Sequence, residues 1–402
     1  MNILFLTLGR MEHIERRGLY TDLLRTLRDR GNSVYVVSAC EKREGKPTSC
    51  TVENGIRLLR VRTGNITKCN LIEKGISTLR IEGQFKRAIG KYAKETRFDL
   101  VLYSTPPVTF ARVVRFIKRR DGAKSYLMLK DIFPQNAVDI GMLKKSGLKG
   151  LIWRYFRRKE KQLYALSDRI GCMSEANVRY LLEHNAEVDP ACVEICPNSV
   201  EPVDGRVGAD ERRALREKYG IPGEKTVFVY GGNLGRPQGV DFLMECLRHP
   251  HPDEAFFLIV GNGTEYARLQ AFFEAEKPVN ARLLASLPRE DYERMVGACD
   301  VGLIFLDHRF TIPNFPSRLL SYMQAELPVL AATDPNTDVG EVITGGGFGL
   351  WCESNDVKGF ADAVASLLAA DRAAMGKQGR AYLLEHYTAE KSAAVILNET
   401  EA

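Results

Sequence analysis

The run Phe315-Pro316-Ser317-Arg318-Leu319-Leu320-Ser321-Tyr322-Met323-Gln324-Ala325-Glu326-Leu327-Pro328-Val329 sets an arginine and two serines about one helical turn apart, between two prolines. Pro316 suits a first helical position because it has no N–H to lose, and Pro328 cannot continue a helix. The spacing therefore predicts a short helix followed by a strand. Leu319, Leu320 and Met323 would face a core, while Ser317, Arg318 and Ser321 would share another face near the helix start. Free amide N–H groups and a guanidinium with several donors at that point make an anion site, the chemistry of a phosphate-bearing substrate. The pattern also suits an ordinary amphipathic helix with a solvated Arg318, so the surroundings must decide.

Two further groups have chemical potential. Lys130-Asp131-Ile132-Phe133-Pro134-Gln135 places a base and an acid side by side after an apolar run, on a loop stiffened by proline. Asp131 is the best acidic candidate of the first half, although a carboxylate there could also cap the next helix or pair with Lys130. The glycine-rich stretches Gly231-Gly232-Asn233-Leu234-Gly235-Arg236-Pro237-Gln238-Gly239 and Gly261-Asn262-Gly263-Thr264 also follow apolar runs. Glycine lets backbone approach a ligand, and a loop that feeds a helix offers N–H groups to phosphate. Glycine turns after strands are common without any ligand, so each is a weak signal alone.

The elements that must position these residues alternate. Strands are expected at residues 3–8, 34–37, 56–61, 100–103, 125–129, 169–173 and 193–196, with helices at 18–27, within 72–96, and at 108–120. The second half restarts the rhythm with strands at 226–230, 256–260, 301–305, 328–332 and 348–351, and helices at 240–247, 357–370 and 372–386. Continuous apolar strands alternating with helices argue for an α/β fold of two doubly wound parallel sheets facing across a cleft. Ligands of such sheets bind beyond the carboxyl ends of the strands, which singles out Gly9-Arg10, Ser104-Thr105 and Lys130-Asp131 in the first half. Glu201 to Glu224 is rich in proline, glycine and charge and is the expected boundary. The expected domains are 1–203 and 204–385, with 386–402 a tail that packs back on the first domain.

A chain of 402 residues is long enough for two or three domains at about 150 residues each. Its net charge of +6 hides an asymmetry: residues 1–200 carry 37 Lys and Arg against 21 Asp and Glu, the remainder 20 against 30. A basic half implies a polyanionic partner, either nucleic acid or an anionic membrane face. Met142–Leu163 is the most basic part, with eight Lys and Arg against Glu160 alone, interleaved with Leu148, Leu151, Ile152, Trp153, Tyr155 and Phe156. A helix of that make-up can lie in a membrane interface, aromatic side down, its long basic stems reaching anionic headgroups. No strand motif of an RNA-binding module accompanies it, so the expected partner is a membrane surface and not nucleic acid. Nine cysteines, odd in number and without a Cys-x-x-Cys pair, suggest neither a disulfide framework nor a zinc site. The opening apolar run lacks a basic flank and is too short for a signal peptide or a membrane span, so the expected location is cytoplasmic, peripheral at the inner face of the membrane.

Taken together, Gly232-Asn233-Leu234-Gly235…Gln238-Gly239, Val260-Gly261-Asn262-Gly263, Ala298-Cys299-Asp300-Val301, Pro316 through Met323 and Pro328-Val329 resemble the group-1 (family 4) glycosyltransferases. Lys130 through Gln135 resembles the Arg/Lys-Asp-Leu-Trp-Pro-Glu segment of the subgroup that builds bacterial capsule, O-antigen and colanic-acid-like polysaccharides. The resemblance covers essentially the whole chain. It implies the GT-B fold, a nucleotide-sugar donor held by the C-terminal half, retention of anomeric configuration and no obligatory metal. Asp-x-Asp, the pair a metal-dependent transferase would use to hold a cation against the diphosphate, occurs nowhere in the chain.

On that resemblance Ser317 and Arg318 hold the diphosphate, Gly9, Asn233 and Gly235 line it, Gly261, Asn262, Gly263 and Leu287 flank the nucleoside, and Ser321 touches ribose. Asp131 faces the acceptor or the anomeric centre. The expected reaction moves a sugar, among the candidates an N-acetylated amino sugar or a deoxy sugar, from UDP to a lipid-linked saccharide of the undecaprenyl diphosphate type. The chain departs from the family in two ways. The Glu-x7-Glu pair falls on Pro313 and Ser321, with Asp307 or Glu326 only distant substitutes, and the common Arg and Lys of the glycine loop are Asn233 and Gln238. Two rivals remain: a GT-B-fold nucleotide-sugar epimerase or hydrolase, and a membrane-associated assembly protein that has lost transfer.

Overall fold

A computed structural model describes residues 1–67 and 69–398 and divides the chain into two compact units. The first comprises Met1–Glu201 and the segment from Ala389 on; the second comprises Pro202–Thr388.

In the first unit the chain runs β1 (Asn2–Leu6), α1 (Leu19–Asp29), β2 (Ser33–Glu41), β3 (Ser49–Glu53), β4 (Ile56–Thr63), α2 (Leu71–Tyr92), β5 (Leu100–Ser104), α3 (Ala111–Asp121), β6 (Lys124–Leu129), α4 (Gln135–Asp139), α5 (Gly147–Tyr164), β7 (Arg169–Cys172), α6 (Glu175–His184) and β8 (Val193–Ile195). The strands form one sheet in the order β3-β4-β2-β1-β5-β6-β7-β8. All pairs are parallel except β3 with β4. That antiparallel edge strand was not among the expected elements, because Ser49–Glu53 is largely exposed and has no apolar run to betray it. β1 shows why the parallel strands read as continuous apolar runs. Ile3 and Phe5 pack on one face with α1, whereas Leu4 and Leu6 pack on the other with Phe85, Ile89 and Val113.

The second unit runs α7 (Ala209–Tyr219), β9 (Thr226–Asn233), α8 (Val240–Arg248), β10 (Ala255–Asn262), α9 (Tyr266–Glu276), β11 (Ala281–Ala285), α10 (Arg289–Gly297), β12 (Val301–Phe305), α11 (Arg318–Gln324), β13 (Val329–Thr333), α12 (Val339–Gly345), β14 (Gly349–Glu353), α13 (Val357–Ala369) and α14 (Arg372–His386). Its strand order β11-β10-β9-β12-β13-β14 is the doubly wound nucleotide-binding topology, reversing between β9 and β12. The chain then returns to the first unit as α15 (Ala389–Leu397), which buries Ala393 and Ile396 against α1.

Six of the nine cysteines are buried, and all nine are free thiols. Among the described residues no helix is long and apolar enough to cross a membrane.

Candidate functional site

Most candidate residues of the second unit lie where the strand order reverses. β9 does not stop at Tyr230, as expected from sequence, but continues in register with β10 to Asn233. Gly231, Gly232 and Gly261 are therefore strand residues, and part of their role is packing. A Cβ on Gly231 would meet the Tyr292 hydroxyl at 1.9 Å, and one on Gly261 would meet the Gly232 carbonyl oxygen at 2.1 Å. A Cβ on Gly263 would lie 2.3 Å from the Leu234 oxygen. Gly232 has φ +122°, a backbone region that favours glycine. The two turns are also knitted together by the Leu234 N–H, which donates to Asn262 O at 2.9 Å.

Gln238 closes the glycine turn. Its Oε1 accepts from Asn233 Nδ2 at 3.1 Å and from the Gly235 N–H at 3.2 Å. The two residues that stand where the resemblance expects an Arg and a Lys thus bond to each other, and neither brings a positive charge. Asn262 Oδ1 accepts from the Gly263 N–H at 2.8 Å.

Within the turn Arg236 is exposed and lies 3.7 Å from Glu265, and the half-buried positive charge comes from Arg318. Its guanidinium carbon lies 4.2 Å from the centre of the Tyr230 ring, and its Nη2 is 3.7 Å from where a Gly232 Cβ would stand. No acid pairs with it among the described residues, and Nη1 is buried without a hydrogen-bond partner. Burial holds the neighbouring hydroxyls protonated: Tyr230 is raised, Tyr322 is pushed up to about 12, and Tyr292 lies well above the usual range. The surroundings of Arg318 are aromatic and neutral. A half-buried guanidinium without a carboxylate is unusual, because buried cations are normally paired.

α11 begins at Arg318, after a turn through Pro316 and Ser317, and has seven residues instead of the longer helix framed by the two prolines. Leu319, Leu320 and Met323 are buried as expected, and so are Tyr322 and Gln324. Ser317 is exposed and Ser321 half-buried. Leu287 is half-buried beyond β11, two strands from β9. Neither distant carboxylate is free to replace the missing pair. Asp307 accepts from Arg309 Nε at 2.8 Å and Nη2 at 2.6 Å, while Glu326, past the far end of α11, pairs with Arg206 at 3.5 Å. Tyr230, Tyr292 and Tyr322 were missed from sequence because each reads as one more apolar strand or helix residue.

In the first unit the candidate residues lie at the carboxyl ends of β1, β5 and β6. The Gly9 N–H donates to Thr7 Oγ1 at 2.9 Å. Thr105 Oγ1 donates to the Asp131 carbonyl oxygen at 2.9 Å, tying the ends of β5 and β6. The side-chain amide of Asn136 donates to both carboxylate oxygens of Asp131, at 2.8 Å each. Burial nevertheless dominates and raises the Asp131 carboxyl to about 6. Lys130 turns away to the Cys196 carbonyl oxygen at 3.3 Å, so acid and base do not pair with each other. Asp131 and Arg318 belong to different units, each positioned by its own sheet.

The basic helix α5 starts at Gly147, so Met142–Ser146 lies outside it. Of its aromatics Tyr155 is 37% exposed, whereas the others turn inward. Phe156 packs edge-on against Phe133 of the Asp131 loop, with ring centres 5.0 Å apart, and Trp153 is half-buried. The other exposed apolar side chains of the helix are aliphatic, Leu148, Leu151 and Ile152 being 84%, 60% and 48% exposed, and on α2 Ile76 and Leu79 are exposed as well.

The family model described as Glycosyltransferase Family 4 matches residues 19–203, and that described as Glycosyl transferases group 1 matches residues 211–382. This chain belongs to the group-1, family 4 glycosyltransferases. The probable glycosyltransferase WbjE of Pseudomonas aeruginosa is 25% identical over 327 residues, covering 80% of this chain and 78% of that protein. The putative colanic acid biosynthesis glycosyl transferase WcaI of Escherichia coli K12 is 21% identical over 248 residues, 61% and 60% of the two chains. Among solved structures, sucrose-phosphate synthase from Thermosynechococcus elongatus superposes with a TM-score of 0.76 at 15% identity, covering 99% of this chain and 97% of that one. Anabaena HepE in complex with UDP gives 0.70 at 14% identity, covering 99% of both. The glycosyltransferase accordingly has the GT-B architecture of two Rossmann-like units.

Proposed function

We propose that this glycosyltransferase moves a sugar from a UDP-sugar to a lipid-linked saccharide in surface polysaccharide synthesis, with retention and without a metal. The observation that carries the donor half is Arg318, a cation with no acid partner among the described residues, set beside Gly232 where the strand order of the second unit reverses. A diphosphate is the anion such a place suits, and the UDP complex of Anabaena HepE supports the choice of nucleotide.

Arg318 would meet leaving-group charge, assisted by Ser317 and by the amides of the Gly235 turn. Asn262, Gly263 and Leu287 would flank the nucleoside and Ser321 would touch ribose. In the retaining reaction the bond from the anomeric carbon to the donor phosphate breaks, the acceptor oxygen bonds on the same face, and the departing phosphate takes the acceptor's proton. Asp131 would serve the acceptor side. The names of the two bacterial relatives support polysaccharide synthesis. The exposed aliphatic residues of α2 and α5, flanked by Lys149, Arg154 and Arg158, support a membrane-borne acceptor and an anionic membrane surface as partner.

Calorimetry with UDP and UDP-sugars in EDTA tests the donor and the metal together. Tight binding is expected, and Arg318→Ala should lower transfer by about 10²-fold or more. Absence of nucleotide binding would instead favour the assembly-protein reading.

A further inference from the structure

Arg318 is held by something other than an acid. The Tyr230 ring lies under its guanidinium at 4.2 Å, and the Tyr230 hydroxyl donates to the Asn233 carbonyl oxygen at 2.8 Å. Tyr230 is wholly buried in the core of the second unit, so its ring has little freedom to move. One side chain therefore contacts both the cation and the glycine turn. Tyr322 supports the arrangement from α11: its hydroxyl lies 3.1 Å from Val229 O on β9 and 3.0 Å from Leu303 O on β12. Its ring occupies space that a Cβ on Gly302 would fill, at 2.3 Å. An acid in place of Tyr230 would fix Arg318 equally well but would cancel its charge. An aromatic face attracts the cation and leaves the net charge available to a ligand.

We infer that Tyr230 is a positioning residue for the donor diphosphate, its ring seating Arg318 beside the glycine turn. This rests on the donor reading above. It predicts that loss of the Tyr230 ring weakens binding of phosphate-bearing ligands and spares the nucleoside.

The test compares UDP and uridine by calorimetry on the full chain. Tyr230→Leu should lower UDP affinity by roughly tenfold while leaving uridine affinity unchanged, and Tyr230→Phe, which keeps the ring, should stay within about threefold of the unaltered protein for UDP. Because Tyr230→Leu removes a buried ring and could fail to fold, a second series places phenylalanine and progressively fluorinated phenylalanines at position 230. These keep the shape and weaken the ring's attraction for a cation, so UDP affinity should fall stepwise with fluorination. Equal losses for UDP and uridine, or UDP affinity indifferent to fluorination, would overturn the assignment of Tyr230 alone. If the unaltered protein bound UDP no better than uridine, the donor reading would fall and this inference with it.

Discussion

The side-chain amide of Asn136 bridges both carboxylate oxygens of Asp131 at 2.8 Å, five residues away across the turn that carries Pro134. Burial pushes the Asp131 carboxyl up to about 6, while this amide and the Ile132 N–H pull it down. If Asp131 works as a carboxylate on the acceptor side, kcat/KM should fall as pH drops through about 6, and Asp131→Asn should remove that limb. Asn136→Ala should move the limb to higher pH, because a group favouring the charged form is lost. A pH profile of the two variants decides it, and an unmoved limb in Asn136→Ala would assign the titration elsewhere.

The same shift has a stability consequence of definite sign. An acid raised in the folded state contributes stability that is complete below its unfolded value near 4 and is lost as pH rises through about 6. Asp131→Asn, which cannot ionise, should therefore be more stable than the unaltered protein at pH 8, by about 3 kcal/mol, and the gain should vanish near pH 4. Melting curves at the two pH values measure it. Equal differences at both would show that the carboxylate is not destabilised in the fold.

Gly261 separates the packing role of the glycines from a ligand role. Its missing Cβ would stand 2.1 Å from the Gly232 carbonyl oxygen, a backbone atom that cannot swing aside. Gly261→Ala should force β9 and β10 apart and cost about 2–3 kcal/mol, comparable to overpacking a core. Gly9, whose Cβ would meet only Thr7 Oγ1 at 3.2 Å, should accept alanine at a small fraction of that. Denaturant midpoints of the two variants provide the comparison.

Much of the fold was legible because parallel strands buried on both faces are plain apolar runs, as in Ile3–Leu6 and Val301–Phe305. β3 and β11 escaped because their exposed edge positions break that run. Of the candidate site, Arg318 could be named from its place at the start of a helix framed by two prolines, and Asp131 from charge at a strand end, where charge is scarce. Tyr230 could not, because its neighbours Phe228 and Val229 are equally apolar and only coordinates show one of the three faces under a guanidinium. The glycines were half legible: sequence marks where a side chain is excluded, but not whether a ligand or Tyr292 occupies the space. The inward turn of Phe156 was likewise invisible, as it depends on Phe133 arriving from another loop.

Glu82 joins three helices of the first unit and offers a test confined to that unit. Its Oε1 accepts the Arg112 N–H of α3 at 2.7 Å, and its Oε2 accepts from Lys159 Nζ of α5 at 3.0 Å, with Glu82 and Lys159 side chains 7% and 12% exposed. Removing the acid leaves a nearly buried ammonium without its partner, which costs more than the pair itself contributes. Glu82→Ala should thus destabilise the first unit by about 3 kcal/mol, and Glu82→Gln by less, since it keeps an acceptor for Arg112. UDP affinity, which depends on the second unit in the reading above, should stay unchanged at temperatures where both variants are folded.

The exposed aliphatic residues of α5 make the last prediction, on the membrane partner. Leu148, Leu151 and Ile152 bring exposed apolar area, while Lys149, Arg154 and Arg158 on the same helix bring positive charge. Lipid insertion and headgroup attraction are separable, because only the second is screened by salt. Binding to vesicles containing phosphatidylglycerol should weaken steeply between 50 and 300 mM salt, by roughly an order of magnitude for each two basic residues engaged. Leu151→Asp with Ile152→Asp should leave only a weak binding that 300 mM salt removes, whereas Arg154→Gln with Arg158→Gln should leave a weaker, salt-insensitive remainder. Phosphatidylcholine vesicles serve as the uncharged reference. Failure of the unaltered protein to sediment with anionic vesicles at low salt would rule out the membrane surface as its partner.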